Sequence, residues 1–205
     1  MNRLGCLIAK YGRNDAAFQA ASIPEGELLA PLAGKRIALV GNARALAQGD
    51  YGAEIDAADL VIRINAAPIP SARSHGTRTD WVGLAVRMPA ARHRLLGQPR
   101  LLWMSPRLHR ISWLVASQPG FFRYPRPRYD ALRAKLGVGP TTGIMLIDLL
   151  ADSGLAELRL YGFDFFASLS LSGPRTAADV GHNFAGEADF VADLTKRDPR
   201  ILHRR

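Results

Sequence analysis

His182 and Glu187 are separated by four residues in the segment HNFAGE, just ahead of the last amphipathic stretch of the chain. A histidine with a carboxylate nearby can act as a general base close to neutral pH. A loop histidine that makes a cap or a local hydrogen bond explains the same spacing, and the pattern alone leaves both interpretations open. Three other histidines lie among arginines and are expected at the surface, and a fourth lies in a loop before GTRTDW; these are His93, His109 and His203, and then His75.

Polar residues follow several apolar segments that have the character of buried strands. They are Gly41 and Asn42 after KRIALV, Arg63 and Asn65 at the end of DLVIRIN, and Asp164 after ELRLYGF. Only Arg63 interrupts the buried character of its strand. Ligands bind outside the carboxyl ends of the strands in an open parallel sheet. The polar strand ends therefore predict a crevice lined by side-chain amides.

The glycines of the chain do not form a dinucleotide-binding loop. VGNARA lacks the later glycines that let a pyrophosphate approach the backbone, and GVGPTTG (137–143) follows a predicted helix with the wrong spacing. We interpret GVGPTTG as leading into a helix that begins with Thr141 and Thr142. The N–H groups of Thr142 and Gly143, together with the helix dipole, could hold a phosphate there. Helix capping by threonine is the simpler alternative.

No metal site is expected. Cys6 is the only cysteine, which excludes an internal disulfide and a cysteine-based zinc site. No Asp-x-Asp pair of the kind that holds a metal in many sugar-nucleotide enzymes occurs, and DAAD (56–59) has the wrong spacing. If the chain transfers a nucleotide-activated group, we expect neutral donors and helix ends to stabilise the leaving phosphate.

Basic residues are concentrated in one part of the sequence. The 205 residues carry a formal net charge of +9, and no acidic residue lies between Asp80 and Asp130. Aromatic residues are interleaved there with Arg87, Arg92, Arg94, Arg100, Arg107, Arg110, Arg123, Arg126 and Arg128. The stretch is compatible with a solvated surface, with nucleic acid, with an anionic membrane surface or with an anionic substrate. Charge alone does not decide among these partners.

Apolar segments and helical segments alternate along the chain. Predicted strands cover 35–41, 59–65, 79–86, 100–105 and 157–164, and predicted helices cover 107–118, 128–137, 141–154 and 186–197. Because several strands are apolar throughout, we predict a three-layer α/β/α, Rossmann-like domain with a mainly parallel sheet. This domain would span 34–205, after an N-terminal extension (1–33) without a clear pattern. No stretch approaches the roughly 18 apolar residues of a membrane helix and no secretory signal is recognisable, so a cytoplasmic protein is expected.

Taken in order, three segments resemble the sialyltransferases of glycosyltransferase family 29. Residues 37–81 are similar to the long motif of that family, sharing Val-Gly-Asn, Arg-x-Asn, Ala-Pro and Gly-x-Arg-Thr. Residues 139–166 are similar to the small motif, and HNFAGE matches the very small motif with its histidine and glutamate. The resemblance covers roughly residues 35–190. It implies the GT-A-like variant of the Rossmann-like fold.

The resemblance also implies a reaction. Sialic acid, or a related nonulosonic acid, would pass from a CMP-sugar to a glycan hydroxyl, with inversion and without a metal or other cofactor. His182 would be the general base, and Glu187 would belong to the same motif in a supporting role. The residues that would line the CMP-sugar site are Gly41, Asn42, Asn65, Thr141, Thr142, Gly143 and Asp164.

The sequence departs from the family in specific places. The paired cysteines and the membrane anchor of the eukaryotic enzymes are not found, which fits a bacterial-type member in a reducing cytoplasm. A histidine that contacts the donor phosphate is expected between the small and very small motifs, yet residues 167–181 contain none. Ser168, Ser170, Ser172 and Arg175 are the candidates to replace it. An alternative is therefore a catalytically inactive protein of this fold that binds a nucleotide or an anionic glycan.

The expected partners follow from the motifs and the charge. They are a CMP-sugar donor and a glycan acceptor, with lipid-linked glycans and lipopolysaccharide as candidates. The basic stretch (87–135) would bind an anionic glycan or make peripheral contact with the inner membrane surface. Binding of nucleic acid is not favoured, because it leaves the three ordered motifs unexplained.

Overall fold

The strands form where the sequence has its uninterrupted apolar runs. A computed structural model describes residues 2–165, 167, 168, 171 and 181–204. Its seven-stranded sheet contains β1 (Arg36–Val40), β2 (Leu60–Ile64), β3 (Trp81–Leu84), β4 (Arg100–Trp103), β5 (Phe122–Arg123), β6 (Glu157–Tyr161) and β7 (Ile201–Arg204). The order is β5-β4-β3-β2-β1-β6-β7, and all neighbouring strands are parallel. The predicted parallel sheet is therefore confirmed.

Helices connect the strands, as parallel pairing requires. The α-helices are α1 (Arg3–Tyr11), α2 (Asp15–Ala21), α3 (Glu25–Leu29), α4 (Gly52–Asp56), α5 (Ala72–His75), α6 (Ala90–Leu95), α7 (Trp113–Ala116), α8 (Arg126–Leu136), α9 (Thr142–Ala151) and α10 (Phe184–Arg197). Short 3-10 helices cover Ala30–Leu32, Arg44–Gln48 and Leu108–Arg110. Within the described parts of the chain, no helix has the length and apolar character needed to cross a membrane.

Alternate side chains of each strand face different helical layers. On one face of the sheet, Leu39 and Ile62 pack in a cluster that includes α9 and residues of α8 and α10. On the other face, Trp103 packs with Phe18 of α2 and with residues of α1 and α7, while Val40 packs near α4. The three-layer α/β/α architecture predicted from the sequence is therefore confirmed.

Helix α9 packs closely against the sheet. Every residue from Thr142 to Leu150 except Asp148 is buried. A Cβ atom on Gly83 of β3 would lie 2.6 Å from Cδ1 of Leu146, so the glycine allows the helix to approach the sheet. This packing fixes the N-terminus of α9 at the carboxyl edge of the strands.

Some expectations about individual segments were wrong. Residues 1–33, which carry no clear sequence pattern, form α1 to α3, and Phe18 and Leu28 there are fully buried. The segment 107–118 is not one helix, because Ile111 is extended and separates Leu108–Arg110 from α7. The strands β5 and β7 were not predicted, since one has two residues and the other is half polar.

The histidines expected at the surface divide in the structure. His109 is exposed, as predicted. His93 is buried, and its Nε2 lies 2.8 Å from the carbonyl oxygen of Pro99, so that prediction was wrong. His203 is half-buried, with Nε2 2.7 Å from the carbonyl oxygen of Phe163. Neighbouring arginines in the sequence do not decide the exposure of a histidine, because that exposure depends on which face of α6 or β7 carries it.

Candidate functional site

An open cavity of about 790 Å³ lies at the carboxyl ends of the central strands. This is where ligands bind in open parallel sheets, next to the point at which the strand order reverses. In this chain the reversal falls between β1 and β6. All nine residues singled out from the sequence line the cavity: Gly41, Asn42, Asn65, Thr141, Thr142, Gly143, Asp164, His182 and Glu187.

A close backbone contact joins the ends of β1 and β6. The N–H of Gly41 donates to the carbonyl oxygen of Tyr161 at 2.7 Å, and the N–H of Ala43 donates to that of Gly162 at 3.2 Å. A Cβ atom on Gly41 would lie only 2.3 Å from the carbonyl oxygen of Gly162. The glycine is therefore needed to bring the Asn42 turn against the β6 turn.

Asn42 and Asn65 are both held by backbone groups. Asn42 is buried, and its Nδ2 donates weakly to the carbonyl oxygen of Ile64 at 3.4 Å. Asn65 has a left-handed backbone with φ 52°, which asparagine tolerates better than most residues. Its Oδ1 accepts from the N–H of Ala85 at 2.9 Å, which orients the Nδ2 group as the remaining donor.

Arg63 does not line the cavity, contrary to the expectation for the polar strand ends. It is buried, and its guanidinium donates to the carbonyl oxygens of His75 and Arg78 at 2.7 and 2.8 Å. Burial is also the main reason that its pKa is lowered to about 10. Arg63 therefore fixes the loop before β3 and stabilises the fold rather than the site.

The N-terminus of α9 opens into the cavity. Thr141 is the N-cap, and its Oγ1 accepts from the N–H of Ile144 at 3.3 Å. The capping interpretation is thereby confirmed for Thr141. The first N–H groups of a helix have no partner within the helix, so those of Thr142 and Gly143 are the ones available to a ligand. A Cβ on Gly143 would lie 2.6 Å from Cε1 of Phe163, so the glycine lets the β6 turn pack there.

Glu187, in α10, forms hydrogen bonds to the same helix end. Its Oε1 accepts from the N–H of Thr141 at 2.8 Å, and its Oε2 accepts from Oγ1 of Thr141 at 2.9 Å. Burial raises the pKa of Glu187 to about 7, although both hydrogen bonds act in the opposite direction. The carboxylate thus ties the very small motif to the small motif.

His182 is anchored by one ring nitrogen only. Its Nδ1 lies 2.7 Å from the carbonyl oxygen of Gly139, which can only accept, so Nδ1 carries the proton in this bond. The other ring nitrogen, Nε2, then has a lone pair. The side chain is exposed and lines the cavity near the start of α9. This arrangement is that of a residue able to take a proton from a bound hydroxyl.

The described part of the segment after β6 folds against the cavity edge. Oδ2 of Asp164 accepts from the N–H of Ser168 at 2.8 Å, and Oγ of Ser168 accepts from the N–H of Ala45 at 2.9 Å. Ser168 is thus engaged with the backbone and does not line the cavity. Ser170, Ser172 and Arg175, the other candidates to replace the expected histidine, lie outside the described residues.

Three cationic side chains also line the cavity, and the sequence did not identify them individually. Arg107 and Arg110, which follow β4, and Arg133 of α8 line it together with Tyr129. The absence of acidic residues between Asp80 and Asp130 was the available signal. Which arginines face the cavity depends on the fold. No cluster of three metal-ligating side chains occurs among the residues that the structure describes.

Comparisons with known proteins agree with this architecture. Residues 16–118 match the family model of glycosyltransferase family 29 (sialyltransferase). Two solved structures are similar, one of a mammalian sialyltransferase and one of a mammalian sialyltransferase in complex with Gal-beta-1-3GalNAc-ortho-nitrophenol. Each has 20% sequence identity and a TM-score of 0.60, and the match covers 83% of this chain and 69% of the other. No curated protein sequence matches the chain.

The two kinds of match carry different weight. At 20% identity the solved structures show the fold alone. The family match extends over half of the chain and includes Gly41, Asn42 and Asn65, whereas α9, Asp164 and the His182–Glu187 segment lie beyond it. On the strength of that match, this chain is a glycosyltransferase and belongs to glycosyltransferase family 29, the sialyltransferases.

Proposed function

We propose that the cavity binds a CMP-sugar and that the protein transfers sialic acid, or a related nonulosonic acid, to a glycan hydroxyl. The observation that carries this proposal is the orientation of His182. Its Nδ1 is tied to Gly139, so Nε2 is the basic atom, and it stands in the cavity beside the N-terminus of α9. A proton acceptor and a phosphate-binding helix end at one cavity suit an alcohol nucleophile and a phosphate leaving group.

Neutral groups would bind the donor. The first N–H groups of α9, in Thr142 and Gly143, would face the phosphate of the CMP group, where the helix dipole favours negative charge. The side-chain amides of Asn42 and Asn65 would bind the nucleotide or its sugar. Hydrogen-bond donors that are already fixed lose little energy in reorganising as charge develops on the leaving phosphate. We expect this stabilisation to need no metal ion.

The reaction would be a single displacement. The acceptor hydroxyl gives its proton to Nε2 of His182 while its oxygen forms a bond to the anomeric carbon of the donor sugar. The bond from that carbon to the phosphate oxygen breaks, and its electron pair leaves with CMP. Attack from the face opposite the phosphate inverts the configuration. Glu187 acts as a positioning residue, since it holds Thr141 at the start of α9.

The acceptor and the place of the reaction belong to the same proposal. A glycan built on a lipid, or lipopolysaccharide, would be the acceptor in a bacterial cell, and the reaction would take place in the cytoplasm at the inner membrane. The basic stretch 87–135 supports an anionic partner, because no acid lies between Asp80 and Asp130.

Substitution of His182 tests the chemistry. In His182→Ala, transfer from CMP-sialic acid should fall by about 10²–10⁴-fold, the usual contribution of a general base. The affinity for CMP, measured by calorimetry, should change little. His109→Ala is the matched control, because His109 is exposed and does not line the cavity. If the wild type neither binds CMP nor turns over with any glycan offered, the proposal is wrong.

A second candidate function is binding without catalysis. It is favoured by one observation, namely that no histidine occurs in residues 167–181, where the resemblance predicts one. In that case the wild type would bind CMP but neither transfer nor hydrolyse CMP-sialic acid, and His182→Ala would leave binding unchanged. Transfer that depends on His182 would decide against it.

A further inference from the structure

The arginines of the basic stretch and α8 fall into three groups in the structure. Five form contacts within the protein, in pairs that join Arg123 to Asp15, Arg126 to Asp130, Arg128 to Asp148, Arg92 to the carbonyl of Ala67, and Arg100 to that of Gly120. Arg87 and Arg94 are exposed and do not line the cavity. Arg107, Arg110 and Arg133 are exposed, form no ion pair or side-chain hydrogen bond with any described residue, and all line the cavity.

We call these three residues the cavity arginines. Two of them, Arg107 and Arg110, lie away from the neutral donors, whereas Arg133 is in the last turn of α8, which leads to the segment before Thr141. Arg107 and Arg110 follow β4, which is two strands from β2 and three from β1. With a strand spacing of about 4.8 Å, β4 is displaced from the Asn42 turn by roughly 14 Å. The acids that line the cavity, Asp164 and Glu187, belong to the β6 turn and to α10, and Glu187 is bonded to Thr141. Both acids therefore lie on elements other than those that carry the cavity arginines.

We propose that the cavity arginines form a subsite for a negatively charged group of the acceptor glycan, a carboxylate or a phosphate. This rests on the proposed function, which assigns the neutral donors of the cavity to the CMP-sugar. Guanidinium groups bind both anions through paired N–H donors. Unpaired like charges around one cavity repel each other, and an anion between them relieves that repulsion. The acceptor is therefore an acidic glycan rather than a neutral one.

Acceptors that share a lactose core and differ in the charged group attached to it test the subsite. Lactose, sialyllactose and a phosphorylated lactose are offered to the wild type, to Arg110→Ala and to Arg107→Ala/Arg133→Ala, with Arg94→Ala as an exposed control outside the cavity. The wild type should prefer an anionic acceptor over lactose. The comparison of sialyllactose with phosphorylated lactose then shows whether the subsite prefers a carboxylate or a phosphate. Each cavity substitution should raise the KM for that acceptor by about tenfold, with kcat and the KM for lactose nearly unchanged. Arg94→Ala should behave as wild type.

Three measurements keep this inference separate from the proposed function. Glycan binding is measured by calorimetry without donor, so a protein without turnover still reports on the subsite. An equal preference for lactose and the anionic glycans would overturn the inference, even if transfer occurs. A loss of affinity for CMP-sialic acid in Arg110→Ala, with CMP affinity retained, would assign the arginines to the donor carboxylate and also overturn it.

A different observation concerns the outer face of α1. Leu4, Leu7, Ile8 and Tyr11 have the i, i+3, i+4, i+7 spacing of one helix face, and their exposed fractions are 66%, 44%, 65% and 78%. The inner face already packs through Cys6 and Ala9. Four of the seven large hydrophobic residues that are exposed in the described chain thus lie on this one helix. A solvent-facing apolar stripe of this kind marks a surface that binds something.

The surroundings of the stripe indicate what it binds. Arg3, Lys10 and Arg13 flank it, and no acidic residue precedes Asp15. The helix packs against Leu108–Arg110 and α7, which belong to the basic stretch and add Trp113, 37% exposed. A second copy of the chain would bring another +9 charges to a basic surface. An anionic lipid surface instead matches both the apolar stripe and the basic flanks.

We propose that α1 lies in the surface of an anionic membrane, with its Leu4–Tyr11 stripe towards the acyl chains. Vesicles of phosphatidylcholine, and of phosphatidylcholine mixed with phosphatidylglycerol, are sedimented with the protein. Binding should require phosphatidylglycerol and weaken with salt. Leu4→Asn/Ile8→Asn should reduce the bound fraction by about tenfold or more. Leu95→Asn is the matched control, because Leu95 is 75% exposed on α6, away from the stripe.

All substituted side chains are exposed, so the variants are expected to fold. Their melting temperatures verify this. Binding that is equal for both vesicle types, or equal for wild type and Leu4→Asn/Ile8→Asn, would overturn the proposal. A dimer in solution that Leu4→Asn/Ile8→Asn dissociates would also overturn it, because the stripe would then belong to a second copy.

Discussion

The side of the cavity formed by α9 and the turns after β1 and β6 is held together by hydrogen bonds within the protein. Arg107, Arg110 and Arg133, by contrast, are charged groups at the cavity that form no ion pair with any described residue. Three residues line the cavity and also form hydrogen bonds that stabilise the fold, namely Thr141, Glu187 and Asn65. We therefore expect substitutions on the hydrogen-bonded side to change stability as well as function, and substitutions of the three arginines to change only the interaction with a ligand.

Glu187→Ala should have the largest effect on stability. It leaves the N–H and the Oγ1 of half-buried Thr141 without their acceptors, which should lower the free energy of unfolding by about 2–4 kcal/mol. Glu187→Gln keeps an acceptor for the N–H and should lose much less. Asp189→Ala, an exposed acid two residues along α10, is the control in urea unfolding. A loss of similar size in Asp189→Ala would mean that the hydrogen bonds between Glu187 and Thr141 make no specific contribution to stability.

Glu187 should also give the protein an unusual pH dependence. Its pKa is about 7 in the fold, above the ordinary value of 4.5, so the native state binds this proton more tightly than the unfolded chain. Its contribution is then complete below the unfolded pKa and is lost as pH rises through about 7. The decrease should be on the order of 3 kcal/mol between these values.

Unfolding curves at several pH values between these limits would show the decrease in the wild type. The slope should be missing in Glu187→Gln, which cannot ionise. An identical slope in both proteins would show that another group is responsible.

Gly41→Ala should destabilise the contact between the β1 and β6 turns. The new Cβ would be 2.3 Å from the carbonyl oxygen of Gly162, so the backbone must move, at a cost of about 2 kcal/mol. Gly26→Ala in α3 is the control, because a Cβ there has no atom within 4 Å. Thermal unfolding of the two variants compares them directly. Equal stability would mean that the turns separate easily, and that this side of the cavity is less rigid than described.

Asn42→Ala should produce the smallest of these effects on stability. The hydrogen bond from Nδ2 to Ile64 is long, at 3.4 Å, so little folding energy depends on it. If Asn42 binds the donor, the affinity for CMP should fall by about tenfold while the melting temperature changes little. Calorimetry with CMP measures this. A large loss of stability with unchanged CMP affinity would place Asn42 with the structural residues.

The sequence was sufficient for the parts of the fold that depend on local pattern. Continuous apolar runs predicted β1 to β4 and β6, and Gly137, with φ 77°, ends α8 as expected of a C-cap glycine. Asn42, Asn65 and Asp164, predicted at the ends of different strands, line one cavity because parallel strands end at a common edge, whereas Arg63 does not line it.

Other features depend on partners distant in sequence and could not be predicted. Arg63 looks like a cavity residue until the loop of His75 and Arg78 closes over its guanidinium. His93 looks exposed until Pro99 supplies a buried carbonyl. The segment 1–33 has no clear pattern in the sequence, yet α1 packs on the fold through Cys6 and Ala9 and leaves Leu4, Leu7, Ile8 and Tyr11 exposed.

The position of the very small motif also bears on how the protein folds. Glu187 contacts Thr141 across 46 residues of sequence, and β7, which follows α10 in the chain, extends the sheet by pairing with β6. The pairing of β1 with β6 closes a much longer loop, since Arg36 lies opposite Glu157. Contacts between distant segments form slowly, because a long loop must close first. A folding intermediate in which α9, β6, α10 and β7 are joined before β1 pairs with β6 would already carry His182 and the hydrogen bonds between Glu187 and Thr141. We expect such an intermediate to possess the proton acceptor without the completed cavity, so that activity would return only when β1 joins β6 during refolding.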